Sequence, residues 1–183
     1  MLDKIIENKM KEIEINKKKF PLDSFKNKLK KSTKGLKKAL SKNKLNLIAE
    51  FKRNSPSKNI ISKNFDLKKI IEAYNKYADA ISVLTDNKFF NGTINDLKKT
   101  SELTNLPLLR KDFIIDEYQI YESRFYNADA ILLIASILSK EQIFNFINIA
   151  KEYDMDCIVE IHDEEELNKI INIENIEIIG INN

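Results

Sequence analysis

The sequence has one cysteine, one histidine and no tryptophan in 183 residues. Cys157 standing alone excludes an intramolecular disulfide framework and any multi-cysteine zinc site. His162 is the only histidine, so a Cys/His metal cluster within the chain is excluded as well, and no metal site is expected. No apolar run approaches the ~20 residues that cross a bilayer, and the opening MLDKIIENKMKEIE is too charged for a signal peptide. The expectation is a cytoplasmic protein with no membrane partner. Arginine is scarce too, at three of 31 bases (Arg53, Arg110, Arg124).

What is present suits one globular unit. Hydrophobic residues make up 43% and charged residues 32%, enough for a core of useful size. Aromatics at 9% and apolar residues recurring throughout argue against disorder. The net charge of +3 hides an asymmetry. Residues 1–45 carry fifteen lysines against five acids, a balance of +10, while the other 138 residues hold sixteen bases and twenty-three acids, a balance of −7. Such a basic arm can bind nucleic acid or an anionic surface. Bidentate phosphate recognition favours arginine, however, so a solvated helical face is the preferred reading and no nucleic-acid partner is expected.

In the first 45 residues, Leu2, Ile5, Ile6, Met10 and Ile13 fall at helical spacing, and Phe25, Leu29, Leu36 and Leu40 suggest a second amphipathic helix after Pro21, interrupted by Gly35. From Leu45 the pattern changes. Short apolar runs at 46–52, 79–84, 107–111, 129–134, 156–161 and 176–181 alternate with helical stretches near 66–78, 93–104, 116–127, 139–153 and 163–173. That alternation predicts βαβ units and a parallel sheet, and runs such as AILLI suit strands covered on both faces. The phrase A-D-A precedes the second and fourth runs, at 78–80 and 128–130, a weak sign of an internal repeat. Six strands fit a doubly wound sheet, or the first part of an eight-stranded barrel; the pattern alone leaves both open.

Polar residues at strand ends carry more information. Glu50 and Lys52, two apart in an apolar strand, share a face. Lys111 closes the third run, Glu160 nears the end of the fifth, and Asn182 follows the sixth. Each alone could simply emerge into a solvated loop. Five polar groups from four strands at the same C-terminal edge point instead to a site, since a charge on a buried strand is costly unless paired or functional. Lysines near glutamates can act as general acid, general base and anion clamp. The loop R-N-S-P-S-K (53–58) suits an anionic substrate group, and the rings of K-F-F-N-G (88–92) with Phe113 offer apolar walls. Cys157, opposite in alternation to Glu160, is expected to face the covering helices as a small apolar residue, and His162 to be an ordinary loop residue.

The blocks I-A-E-F-K-R-N-S-P-S (48–57), K-F-F-N-G (88–92), P-L-L-R-K-D-F-I (107–114), I-V-E-I-H (158–162) and I-G-I-N-N (179–183) resemble indole-3-glycerol phosphate synthase in order and spacing. The helical N-terminal extension resembles the family as well. The resemblance moves the fold expectation to the (β/α)8 TIM barrel of the α/β class, with an N-terminal helical extension over 1–45 and an incomplete barrel catalytic domain over 46–183, of which only the first six strands are present. It stops in mid-motif after Asn183, so the chain reads as truncated or partial and is expected to be unstable or inactive alone. The family's glycine-serine phosphate loop and strands seven and eight fall outside it.

The resemblance implies closure of 1-(2-carboxyphenylamino)-1-deoxyribulose 5-phosphate to indole-3-glycerol phosphate, with loss of carbon dioxide and water, in tryptophan biosynthesis and with no cofactor. It implies Lys111 as general acid, Glu160 in proton transfer during dehydration, Glu50 and Lys52 as the charge-positioning pair, and Asn182 as an orienting group. Ser55 would bind substrate, and Phe90 and Phe113 would line the anthranilate pocket. A monomer is expected at full length. Another phosphate-sugar barrel, such as phosphoribosylanthranilate isomerase, is the rival enzyme; a non-catalytic fragment acting as a binding module is the rival outside enzymology.

Overall fold

A computed structural model describes residues 2–54 and 66–182. The first helix, α1 (Leu2–Lys19), has Asp3 in its first turn and Lys17, Lys18 and Lys19 in its last, each sign matching the helix dipole. Its buried positions are Ile5, Lys9 and Ile13. The apolar periodicity predicts Met10 in that stripe, but Met10 is 57% exposed and Lys9 only 2%. The lysine takes the inner place because two buried carboxylates, Asp86 and Asp112, lie beneath it at 2.9 Å.

The predicted second helix does not form as one element. Two 3₁₀ turns (Leu22–Ser24 and Lys26–Lys28) are followed by extended backbone at Leu29, and only Leu36–Leu40 is helical (α2). Gly35 is itself extended (φ −74°, ψ 119°), and a continuous helix would stack Lys26, Lys30, Lys34 and Lys38 as like charges four residues apart.

Beyond this segment the predicted alternation is realised. The strands are β1 (Ile48–Phe51), β2 (Ala80–Leu84), β3 (Leu108–Lys111), β4 (Ala130–Ile134), β5 (Asp156–Ile161) and β6 (Ile178–Ile181). The connecting helices are α3 (Leu67–Tyr77), α4 (Ile94–Ser101), α5 (Glu117–Phe125), α6 (Lys140–Glu152) and α7 (Glu164–Ile170). All neighbours pair in parallel, in the order β1-β2-β3-β4-β5-β6, so the chain forms a half-barrel of six strands.

Strand alternation sorts the side chains between two cores. Ile81, Val83, Leu108, Ile131, Leu133, Val159 and Ile161 join Ile120, Ile143 and Ile147 of the helices in the outer core, and Cys157 packs against it, as alternation predicts. Burial pushes the Cys157 thiol pKa up, which suits an inert packing residue. Ala80, Leu109, Ala130, Leu132, Ile134 and Ile158 form the inner core, where Leu36 of α2 is fully buried among them.

Helix starts are well capped. The side chains of Asp66, Thr93, Asp116, Ser139 and Asp163 accept from backbone N–H groups of the first turn, interactions worth about 1 kcal/mol each. Helix ends use asparagine and aspartate where glycine is scarce. Asn127 (φ 68°) and Asp154 (φ 53°) turn left-handed after α5 and α6, while the amides of Ala128 and Met155 donate back to Ser123 and Ala150.

The A-D-A repeat has a structural cause. Asp79 accepts from the Leu47 amide before β1, and Asp129 accepts from the Leu108 amide that opens β3. Each aspartate thus ties the start of one strand to the preceding one. The same aspartates hold the segment before β1, Asp79 through Lys42 and Lys44, and Asp129 through the Ser32 hydroxyl at 2.7 Å. Hydrogen bonds from both lysines and from the Leu47 amide hold the Asp79 carboxyl well below the usual carboxylate range. Lys31 with Asp154, Lys37 with Glu177 and Lys17 with Asp116 add further ion pairs. Part of the basic arm is therefore not a solvated face: it is matched to acids of the half-barrel.

Candidate active site

Inner-face positions at the C-terminal strand ends converge as their spacing predicts. Glu50 on β1 and Lys111 on β3 lie on either side of β2, in register with Ser82 and Leu84. The Lys111 ammonium donates to Glu50 Oε2 at 3.0 Å, and Lys52 Nζ lies 2.7 Å from Glu50 Oε1. Burial alone would raise the Glu50 pKa, but the Lys52 hydrogen bond and the charge of Lys111 outweigh it and lower the pKa. One carboxylate thus sits between two ammonium groups that remain partly open to solvent, leaving the trio with a net positive charge.

On the far side, Glu160 of β5 is in register with Gly180 of β6. The Asn182 amide donates to Glu160 Oε1 at 3.2 Å, and its backbone N–H continues the ladder to Ile161. A Cβ at position 180 would already meet Ile158 Cγ2 at 3.0 Å, so glycine there leaves the neighbourhood of Glu160 uncrowded.

These groups line one cleft of about 280 Å³. Its apolar wall is Phe90, Phe113, Leu84, Leu132 and Ile134, with the Phe90 and Phe113 rings 6.3 Å apart. Phe90 is presented by a compact turn. The Asp86 side chain accepts from the Phe89 amide, the Gly92 amide donates back to the Asp86 carbonyl, and Asn91 is left-handed (φ 54°). Gly92 is obligatory there, since a Cβ would lie 2.2 Å from the Leu84 carbonyl oxygen. Arg53, just past β1, is tied to Asp96 of α4 and so anchors the start of its loop. Ser55 lies outside the described residues.

Of the predicted site residues, Glu50, Lys52, Lys111, Glu160, Asn182, Phe90 and Phe113 therefore share one cleft. Further residues outside that set also line the cleft, among them His162, Leu2, Asp112 and Ser136. His162 was expected to be an ordinary loop residue, yet it lines the cleft, with Nε2 3.8 Å from Glu160 Oε1 and Nδ1 3.2 Å from Glu166 Oε2. Its place two residues after Glu160, on the same alternation, was the available signal. Leu2 of α1 also reaches the cleft, and no spacing argument connects it to strands so distant in sequence. Among the described residues, no group of three or more His, Cys, Asp or Glu side chains could hold a metal ion, and no helix is long and apolar enough to cross a membrane.

Parallel β/α order with a charged cleft at the C-terminal strand ends defines the class of β/α-barrel enzymes. Within that class, the family model of indole-3-glycerol phosphate synthase matches residues 2–183, and the chain belongs to that family. It is similar to an indole-3-glycerol phosphate synthase of Petrotoga mobilis, 50% identical over the whole of this chain and 67% of that protein. A Thermoanaerobacter pseudethanolicus protein of the same name is 44% identical over the whole chain and 70% of its own length. The tryptophan biosynthesis protein TrpCF of Buchnera aphidicola from Diuraphis noxia is 46% identical over the whole chain, which spans 40% of that protein.

Proposed function

We propose that the protein of which these residues are part closes the indole ring in tryptophan biosynthesis, converting 1-(2-carboxyphenylamino)-1-deoxyribulose 5-phosphate to indole-3-glycerol phosphate, carbon dioxide and water. The observation that carries this reading is the Lys52–Glu50–Lys111 cluster facing Glu160 and Asn182 across a cleft walled by Phe90 and Phe113. An aromatic acid with a sugar chain needs this combination: rings to hold the arene, cations for its carboxylate, and a proton donor for its carbonyl.

The chemistry assigns the parts. The ring carbon bearing the carboxylate attacks the ketone carbon of the sugar chain, and Lys111 gives a proton to the carbonyl oxygen, which becomes a hydroxyl. The attacking ring carbon is now tetrahedral, so breaking its bond to the carboxylate releases carbon dioxide and restores aromaticity. Lys52 is assigned to hold that carboxylate, and Glu50 keeps both lysines in place. The new hydroxyl then leaves as water while the neighbouring chain carbon gives up a proton and the ring double bond forms. Glu160 shuttles that proton to the departing oxygen, and Asn182 fixes its carboxyl. Phe90 and Phe113 enclose the anthranilate ring, and Ser55 joins the substrate contacts.

The same reading places a monomer in the cytoplasm, acting on a phosphorylated small molecule and not on nucleic acid. The phosphate would be gripped by loops after strands seven and eight, as is usual in such barrels. The test is formation of indole-3-glycerol phosphate by the full chain, with Lys111→Ala as control. Turnover that Lys111→Ala abolishes supports the reading. Turnover of phosphoribosylanthranilate instead would favour the isomerase, and no turnover of either by a folded full chain would leave a binding module.

A further inference from the structure

Lys9 is the most deeply buried cation of the segment before β1, and nothing in the ring-closing chemistry accounts for it. Its ammonium group lies 2.9 Å from Asp86 Oδ2, 2.9 Å from Asp112 Oδ1 and 3.0 Å from Glu12 Oε2. Burying a lysine is costly, and here two carboxylates from different strand ends compensate it. Those carboxylates are not idle. Asp86 Oδ1 accepts from the Phe89 amide and so shapes the turn that presents Phe90. Asp112 stands between Lys111 and Phe113 in the chain; its Oδ1 also accepts from the Phe113 amide, and its Oδ2 from Thr85 and Arg110. One ammonium therefore joins the two loops that carry Phe90, Lys111 and Phe113. It does so from α1, whose first residue in the cleft wall, Leu2, lies seven residues and two turns earlier on the same helical face.

We propose that Lys9 is a positioning residue of the active site: by cross-linking Asp86 and Asp112 it fixes the spacing between the aromatic wall and Lys111, and makes α1 part of the site. This rests on the ring-closing role given to Lys111. It is a different role from tethering α1 to the half-barrel, for which Lys17, on the same helix as Lys9 and paired with Asp116 at the start of α5, is the reference.

The test uses the full chain and four variants, Lys9→Met, Lys9→Arg, Lys17→Met and Lys111→Ala. In folded Lys9→Met, kcat/KM for ring closure is expected to fall at least ~10-fold, mostly in kcat, as for a misplaced general acid. Lys9→Arg should recover more than half of the loss, and Lys17→Met should stay within about twofold of wild type. Adding Lys9→Met to Lys111→Ala should cost nothing further, because both act on one step. Amide exchange at Phe89 and Phe113 should speed up in Lys9→Met and not in Lys17→Met. A folded Lys9→Met within twofold of wild type, a loss matched by Lys17→Met, or losses that add to Lys111→Ala would each overturn the proposal. If Lys9→Met does not fold, Asp86→Asn removes the same link from the loop side and is judged by the same outcomes. If the wild-type chain closes no ring, the functional reading has failed; the exchange measurement still decides whether Lys9 sets the two loops.

Discussion

Lys111 and Asp112 are neighbours in the chain but belong to two ionic clusters with different fates. Lys111 joins Lys52 and Glu50 on the inner face, where the lysine side chains are 36% and 40% exposed and Glu50 27%. Asp112 joins Lys9, Arg110 and Glu122, each no more than 7% exposed, with Glu12 beside Lys9 at the rim 32% exposed. Residue types and distances are nearly the same in both. What differs is access to water. The sealed cluster has each charge neutralised by fixed partners, which gives rigidity and little reactivity. The open cluster has one carboxylate shared by two ammonium groups, so a cationic surplus faces a cleft that an anionic substrate can enter. Chemistry is assigned to the open cluster because its groups can still exchange partners, whereas those of the sealed cluster cannot do so without unfolding something.

The comparison fails most visibly if the sealed cluster can be broken without loss. Arg110 is the only cation of that cluster contributed by the sheet, donating to Glu122, Asp112, Thr85 and Ser123. Arg110→Met leaves Glu122 and part of Asp112 buried without a partner and is expected to cost about 3–5 kcal/mol in urea unfolding. A cost under about 1 kcal/mol would mean the cluster is wet and the distinction from the open one unfounded.

In the open cluster the larger effects should appear in rate, and those on stability should be small. Lys111→Ala is expected to lower turnover at least ~100-fold, about 2.7 kcal/mol of transition-state stabilisation, while shifting the unfolding midpoint little. Glu160→Gln keeps the shape and the bond from Asn182 but cannot shuttle a proton, so a comparable fall in kcat with KM nearly unchanged is expected. An effect confined to KM would make Glu160 a binding group and leave the dehydration step without its proton carrier.

The same contrast explains how much the sequence disclosed. The open cluster was legible because its members sit in strands or directly after them, where a period of two decides the face, and because charges in apolar runs stand out. Glu50, Lys52, Lys111, Glu160 and Asn182 all converge on that ground. The six strands and the five β/α-unit helices were legible for a related reason, since near-continuous apolar runs alternate with helical periodicity. The order of the strands in the sheet was left open by periodicity and followed only from the family resemblance. The sealed cluster was not. Lys9 looks like one more surface lysine among fifteen, and its burial depends on Asp86 and Asp112, more than seventy residues away in the chain. Its helical period correctly marks one face as buried but ranks Met10 above Lys9, because hydropathy contains no term for a buried partner. The second N-terminal helix failed in the opposite sense. Phe25, Leu29, Leu36 and Leu40 are at helical spacing, yet the segment is shaped by long-range anchors such as Ser32 to Asp129 and the Lys37 amide to Asp156.

The smallest effect expected is in the pH dependence, and it separates the clusters most cleanly. Burial would raise the Asp112 pKa, but the charges of Lys9 and Arg110 and the hydrogen bond from Thr85 outweigh it and hold the carboxyl well below its usual range. The unfolded chain therefore binds a proton near pH 4 that the folded chain refuses, so Asp112 stabilises the fold above that pH and the contribution is lost as pH falls through the folded value. Lys9→Met removes one of the two cations and moves the folded value upward. The stability gap between wild type and Lys9→Met should then be fully present above about pH 5 and should narrow on acidification. Glu50 is lowered in the same direction, through Lys52 and Lys111, so Lys52→Met should show a gap of the same sign. Being half-open, that second gap should shrink in 0.5 M salt, where screening acts within about 4–5 Å, while the Lys9 gap should persist. Equal salt sensitivity of the two gaps in urea titrations would show that water reaches both clusters alike.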